Sequence, residues 1–99
     1  MGAGEEEQLP ELVIGRVIAV HEHGGARAPS YELDLALGPR GEMRTTTERG
    51  SYERKELEGA QIVVALHGGE AVVLAARSHA AGLVLVRPDQ PVEDGSVVA

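Results

Sequence analysis

Tyr31-Glu-Leu-Asp-Leu-Ala-Leu37, Gly38-Pro-Arg-Gly41, Met43-Arg-Thr-Thr-Thr47 and then Ser51-Tyr-Glu-Arg-Lys-Glu-Leu-Glu-Gly59 decide the fold of this chain. Tyr31, Leu33, Leu35 and Leu37 alternate with Glu32, Asp34 and Ala36, and a period of two means a strand with one face in a core and the other in water. The Gly-Pro-Arg-Gly run is a tight reversal, and the threonine-rich run after it suits a third strand paired to the second. From Ser51 to Gly59 the period changes to that of a short helix. Ser51 is placed to cap it, Glu53 and Glu56 fall early, Leu57 is the apolar anchor, and Gly59 stands where a left-handed terminal residue belongs.

Working outward, Leu12 to Val20 reads as strand one, dominated by β-branched residues and interrupted at Gly15 as a long, bent barrel strand would be. His21 to Pro29 is a loop by its breakers. Downstream, Ile62 to Leu66 is a strand, His67-Gly-Gly-Glu70 a hairpin turn, Ala71 to Ala76 another strand, and Leu83 to Val86 the last, before a capping loop from Pro88 to Gly95. Three strands, a helix and further strands is the order of the OB-fold. The predicted class is therefore all-β: a five-stranded Greek-key barrel with one short helix between strands three and four. Residues 1–8 read as a disordered acidic tail and residues 9–99 as the single domain.

A chain of 99 residues builds one core and buries roughly two-thirds of its unfolded surface. It has no cysteine, which excludes disulfides, thiolate metal sites and thiol chemistry. The net charge of -7 repels a polyanion at long range and opposes non-specific nucleic-acid binding, although Glu5, Glu6, Glu7, Asp89, Glu93 and Asp94 place much of it near the ends. Its only aromatic residues are two tyrosines, so single-strand recognition by base stacking is excluded. No apolar run approaches the ~20 residues of a membrane span, and the N-terminus is acidic where a secretory signal is basic, so the expected setting is cytoplasmic, with no membrane partner.

No nucleophile, base and orienting group stand at a recognisable spacing, and no glycine-rich phosphate loop precedes a helix; the chain reads as a non-enzyme without a cofactor. His21, His23, His67 and His79 lack the carboxylates or thiolates that would complete a metal set, and no metal is expected. Arg27, in the loop between strands one and two, can hold a phosphate bidentately; Arg44, Arg49, Arg54 and Lys55 extend a basic track, with Glu42, Glu48, Glu53 and Glu56 between them. The threonines of strand three are either ligand contacts or residues of high strand propensity.

Ala26-Arg27-Ala28-Pro29 and Pro88-Asp-Gln-Pro91 with Gly95, together with Tyr52, Leu57 and Gln61, resemble the tRNA-binding domain of the free-standing CsaA-type proteins, which is also appended to methionyl-tRNA synthetases. The resemblance runs over residues 12–98. It departs at Thr45-Thr46-Thr47, where the family has a Ser-Ala-Gln-type stretch; at His67, where it has asparagine; and at Gly69-Glu70, where its longer loop leads to a Ser-Glu pair. What it implies is an RNA-binding face with Arg27, Arg44, Thr45, Thr46, Arg49 and His67, and tRNA as partner. It also implies a homodimer joined through Leu9, Leu12, Leu85, Pro91 and Val97. The family's chaperone name implies a second function, binding of unfolded or exported polypeptides. A third reading is a degenerate barrel kept as a dimerisation scaffold.

Overall fold

A computed structural model describes residues 9–25 and 27–99. The tail expected over residues 1–8 lies outside the described residues. In chain order the elements are β1 (Glu11–Glu22), β2 (Ser30–Ala36), β3 (Glu42–Glu48), α1 (Arg54–Leu57), β4 (Gln61–His67), β5 (Glu70–Val73), β6 (Ala75–Ser78) and β7 (Gly82–Leu85), with a 3-10 turn at Gly38–Arg40 between β2 and β3. Five strands form one sheet in the order β3-β2-β1-β4-β5, every neighbour antiparallel. Its two edges curl together where the Thr45 hydroxyl donates to the Ala71 carbonyl across 2.6 Å, joining β3 to β5. The result is the expected all-β, OB-like barrel, nearly closed, with one short helix between β3 and β4.

The alternation along β2 does what its period demands. Tyr31, Leu33, Leu35 and Leu37 are at most 1% exposed, and they meet Val13, Val17 and Val20 of β1, Ile62 and Val64 of β4, and Leu57 of α1. Each such side chain contributes about 1.5–3 kcal/mol when fully buried. Tyr31 also places a hydroxyl in this core and donates it to the Tyr52 carbonyl at 3.0 Å, while the Tyr52 hydroxyl accepts the Leu85 N–H at 3.0 Å. Both tyrosines are thus spent on joining β2, the approach to α1, and β7.

Three local expectations are corrected. The helix is one turn, Arg54–Leu57, and Ser51 does not cap it: the Tyr52 N–H is taken by the Arg49 carbonyl in a preceding turn, and Glu53 is the capping residue, its N–H donated to the Glu56 carboxylate at 2.7 Å. Gly59 does take positive φ, +83°, just past the helix. The irregularity of β1 falls not at Gly15 but between Val17 and Ala19, a bulge that turns Ile18 outward. The strand expected over Ala71 to Ala76 breaks at Leu74, whose N–H bonds Val63 and whose carbonyl accepts Val86 N–H. Past that point the chain leaves the barrel as a separate ribbon, β6 paired with β7.

The closing segment, expected as a capping loop, is held against β1 and β4 by side chains of both strands. Gln61 holds Val92 as a second strand would, donating to its carbonyl at 2.6 Å and accepting its N–H at 3.0 Å. Asp94 takes the Arg16 Nε on both oxygens (3.2 and 3.3 Å) and the Gln61 amide at 2.9 Å. Beyond it, Gly95, Ser96 and Val98 make backbone bonds to Ile14 and Leu12 of β1. Pro88 to Gly95 is a clasp on the barrel.

Candidate ligand-binding face

The outer face of β2 and β3 is set by the same alternation that fills the core. Directly paired residues share a face, so Glu32 lies beside Thr46, Asp34 beside Arg44, Ala36 beside Glu42, and Ser30 beside Glu48, while Ala19 and His21 of β1 pair with Asp34 and Glu32. This is the surface an OB barrel commonly offers to ligands, flanked by its loops. At one end stand Arg49 and the β1–β2 loop, tied together by the Arg49 N–H to Pro29 carbonyl bond. The β4–β5 hairpin lies toward the other end, because Ala71 is level with Thr45 and β5 runs on past Thr46 and Thr47 from there.

Its electrostatics are acidic. Glu32, Asp34, Glu42 and Glu48 project from β2 and β3 against one cation of those strands, Arg44, and Arg44 is already engaged: its Nε lies 2.7 Å from Asp34 Oδ1 and its Nη1 3.6 Å from Glu32. His21 Nε2 lies 3.0 Å from the other Asp34 oxygen. The hydrogen bond from Arg44, and after it that from His21, hold the Asp34 carboxyl at about 2, well below the ordinary carboxylate range. Arg77 reaches over from β6 and grips Glu48 through both oxygens, at 2.9 and 3.3 Å, lowering that carboxyl and raising its own pKa.

The residues predicted as RNA contacts separate. Arg44 and Thr46 share the face, and Thr46 is exposed. Thr45 points inward, buried, its hydroxyl consumed by Ala71; it closes the barrel and offers nothing to a ligand. Arg49 lies 3.9 Å from Glu22 and over the Tyr31 ring, 5.6 Å from its centre. Arg27 is exposed and, among the described residues, in no ion pair. His67, exposed at the end of β4, belongs to the hairpin end and not to the Arg27 end. Of the predicted dimer residues, Leu9 is 82% and Val97 57% exposed, Pro91 is exposed and Leu12 half-buried, whereas Leu85 belongs to the core.

The acids of β2 escaped the reading for ligand residues, yet the signal was there. Once Leu33 and Leu35 are inward, Glu32 and Asp34 must be outward, and pairing β2 to β3 brings them against Arg44. Arg77 carried no such signal, since the β6–β7 ribbon that presents it was not expected. Beside the face, β3, β5 and the ribbon enclose a groove of about 270 Å³, with Thr46 and Glu48 on one wall and Val72, Val73 and Leu83 on the other.

No family model matches this sequence, and neither does any curated protein. Solved structures do. The chaperone CsaA of Bacillus anthracis str. Ames is similar with a TM-score of 0.80 and 25% identity, covering 91% of each chain. The CsaA chaperone protein of Picrophilus torridus has a TM-score of 0.79 and 22% identity, over 91% of this chain and 92% of that one. A MetRS related protein of Pyrococcus horikoshii has a TM-score of 0.72 and 16% identity, over 91% and 90%. The chain's structural neighbours are thus CsaA chaperones and a MetRS-related protein, over nearly its whole length.

Proposed function

We propose that this chain is a non-catalytic, CsaA-like binding module working in the cytoplasm, and that its ligand is a basic or neutral polypeptide segment held on the outer face of β2 and β3. One observation carries the reading: on that face carboxylates outnumber cations, and Arg44, which would have met a phosphate, is bonded to Asp34 at 2.7 Å. A polyanion would have to displace that carboxylate and approach Glu32, Glu42 and Glu48 as well. A cationic chain meets no such barrier. The similarity to two proteins described as chaperones supports the same choice.

The test sets two ligands against one protein. Calorimetric titration with a cationic unfolded polypeptide is expected to show binding that weakens in Glu32→Gln/Glu42→Gln, while gel-shift titration with total tRNA shows none at moderate salt. tRNA binding whose logarithm falls with log salt by about 0.7–0.9 per phosphate neutralised would refute the choice of ligand.

A tRNA reading retains one specific support. Among the described residues Arg54 and Lys55 of α1 and Arg87 enter no ion pair, and Arg87 lies over the Tyr52 ring, 5.9 Å from its centre, near the start of α1. RNA would then meet this other side of the barrel. Salt-dependent tRNA binding lost in Arg54→Ala/Lys55→Ala but kept in Arg44→Ala would establish it.

The proposal includes a symmetric homodimer. Exposed Leu9, Val97 and Val98 gather beside the first residues of β1, where Val98 N–H bonds Leu12 and Val97 pairs with Val13, and burying them is the gain that a second copy provides. Light scattering at micromolar concentration is expected to give twice the chain mass, falling to one in Val97→Lys; monomer mass for the parent would refute it.

A further inference from the structure

Where β3 and β5 meet, no backbone hydrogen bond among the described residues joins them. The pairing of β2 with β3 says which groups this leaves unused. Arg49 N–H bonds Pro29 and Leu37 N–H bonds Gly41, so the doubly bonded pairs fall at the odd-numbered positions of β3. The N–H and C=O of Arg44, Thr46 and Glu48 therefore point away from β2, toward the seam. On the facing side, Leu74 N–H bonds Val63, which leaves Ala71 and Val73 as the outward-facing positions of β5; the Ala71 carbonyl is taken by Thr45. From Thr46 onward the seam widens into the groove lined by Val72, Val73 and Leu83.

We propose that the polypeptide ligand joins the barrel as an added β-strand on the Thr46–Glu48 edge of β3, one apolar side chain entering the groove and the next, basic, lying outward toward the carboxylates of Glu42 and Glu70. This rests on the polypeptide reading above and names its binding mode. An edge strand with unused backbone groups is a template for such an addition. Val73 and Leu83, both half-buried, give the inward side chain an apolar seat, and Val72, 54% exposed, gives the outward one a surface for its stem. Charge selects the outward residue: Glu42 and Glu70, in no ion pair among the described residues, fringe the seam, while Arg44 is bonded to Asp34 and Arg77 to Glu48.

The probe is a hexapeptide alternating valine and lysine, with two twins N-methylated at its odd or its even amides. A strand bonds a neighbour through alternate amides only, so one twin is expected to lose about tenfold or more in affinity, as the loss of two backbone hydrogen bonds implies, and the other to bind like the parent. The amide signals of Thr46, Glu48 and Val72 are expected to shift on binding. Thr46→Pro, which removes one edge donor at a position where an edge strand tolerates proline, should cost a smaller factor, about three- to tenfold, with its melting curve unchanged. If both twins bind as the parent does, or both lose equally, strand addition is wrong while the polypeptide reading stands. If no member of the set binds, both fall.

Discussion

Gly95→Ala tests whether the closing segment is seated on the barrel as a clasp. Gly95 has φ +88°, and a Cβ there would press into the Leu37 carbonyl group, 3.0 Å from its carbon and 3.3 Å from Pro39 Cδ. Both neighbours are backbone or ring atoms of the β2–β3 turn and cannot swing aside. Relief must come from lifting residue 95, which carries the 2.7 Å bond to Ile14 and stands beside the Asp94 anchor. The left-handed backbone alone costs an alanine about 1–2 kcal/mol, and forced overpacking adds about 1–3 kcal/mol. The sum is a large part of the ~5–15 kcal/mol available to a domain of this size, and lowers Tm by about 10–30 °C. Gly69→Ala, in the β4–β5 turn, is the control: its φ is +84°, with nothing within 4 Å of the added methyl, so it carries the backbone cost without the crowding. Urea and thermal melts of both variants beside the parent separate the two contributions. Equal losses in Gly95→Ala and Gly69→Ala would refute the seated clasp.

Tyr52→Phe leaves the Leu85 N–H without its 3.0 Å acceptor and is expected to lose about 1–3 kcal/mol in urea unfolding. Thr45→Val keeps the volume but removes the hydroxyl between β3 and β5; about 1 kcal/mol should be lost and amide exchange should quicken along β5. Asp34 has a folded pKa near 2, below the value of 3.8 for the free side chain, so its pairing with Arg44 and His21 stabilises the protein above about pH 4 and is lost as pH falls toward 2. Acid titration of stability should therefore be shallower through that window for Asp34→Asn than for the parent.

The barrel was legible in the sequence because its defining strand is buried on one side only: Tyr31, Leu33, Leu35 and Leu37 can alternate with acids only if a core lies beneath them. The break at Leu74 was not legible. Leu74 N–H still makes the next rung of the β4–β5 ladder, to Val63, but its carbonyl turns to the Val86 N–H of a later segment, a partner that no local pattern announces. Capping by Ser51 failed because a turn precedes the helix: the Tyr52 N–H bonds the Arg49 carbonyl, and the Glu53–Glu56 capping box starts the helix at Arg54. In the candidate site, charge type was readable but pairing was not. Arg44 reads as a phosphate contact until the β2–β3 register puts Asp34 directly opposite. Pro88 to Gly95, the segment most diagnostic in the sequence, is structural: Gln61, Arg16 and Asp94 are spent holding it.

Charge reversal on the β2–β3 face is the most direct test of the central claim. Glu32→Lys/Glu42→Lys, titrated against fluorescent tRNA and against the valine–lysine hexapeptide in the same buffer, should lose the peptide and acquire salt-dependent RNA binding that the parent lacks. A parent that already binds tRNA, and loses that binding when Arg44 becomes alanine, would contradict the account.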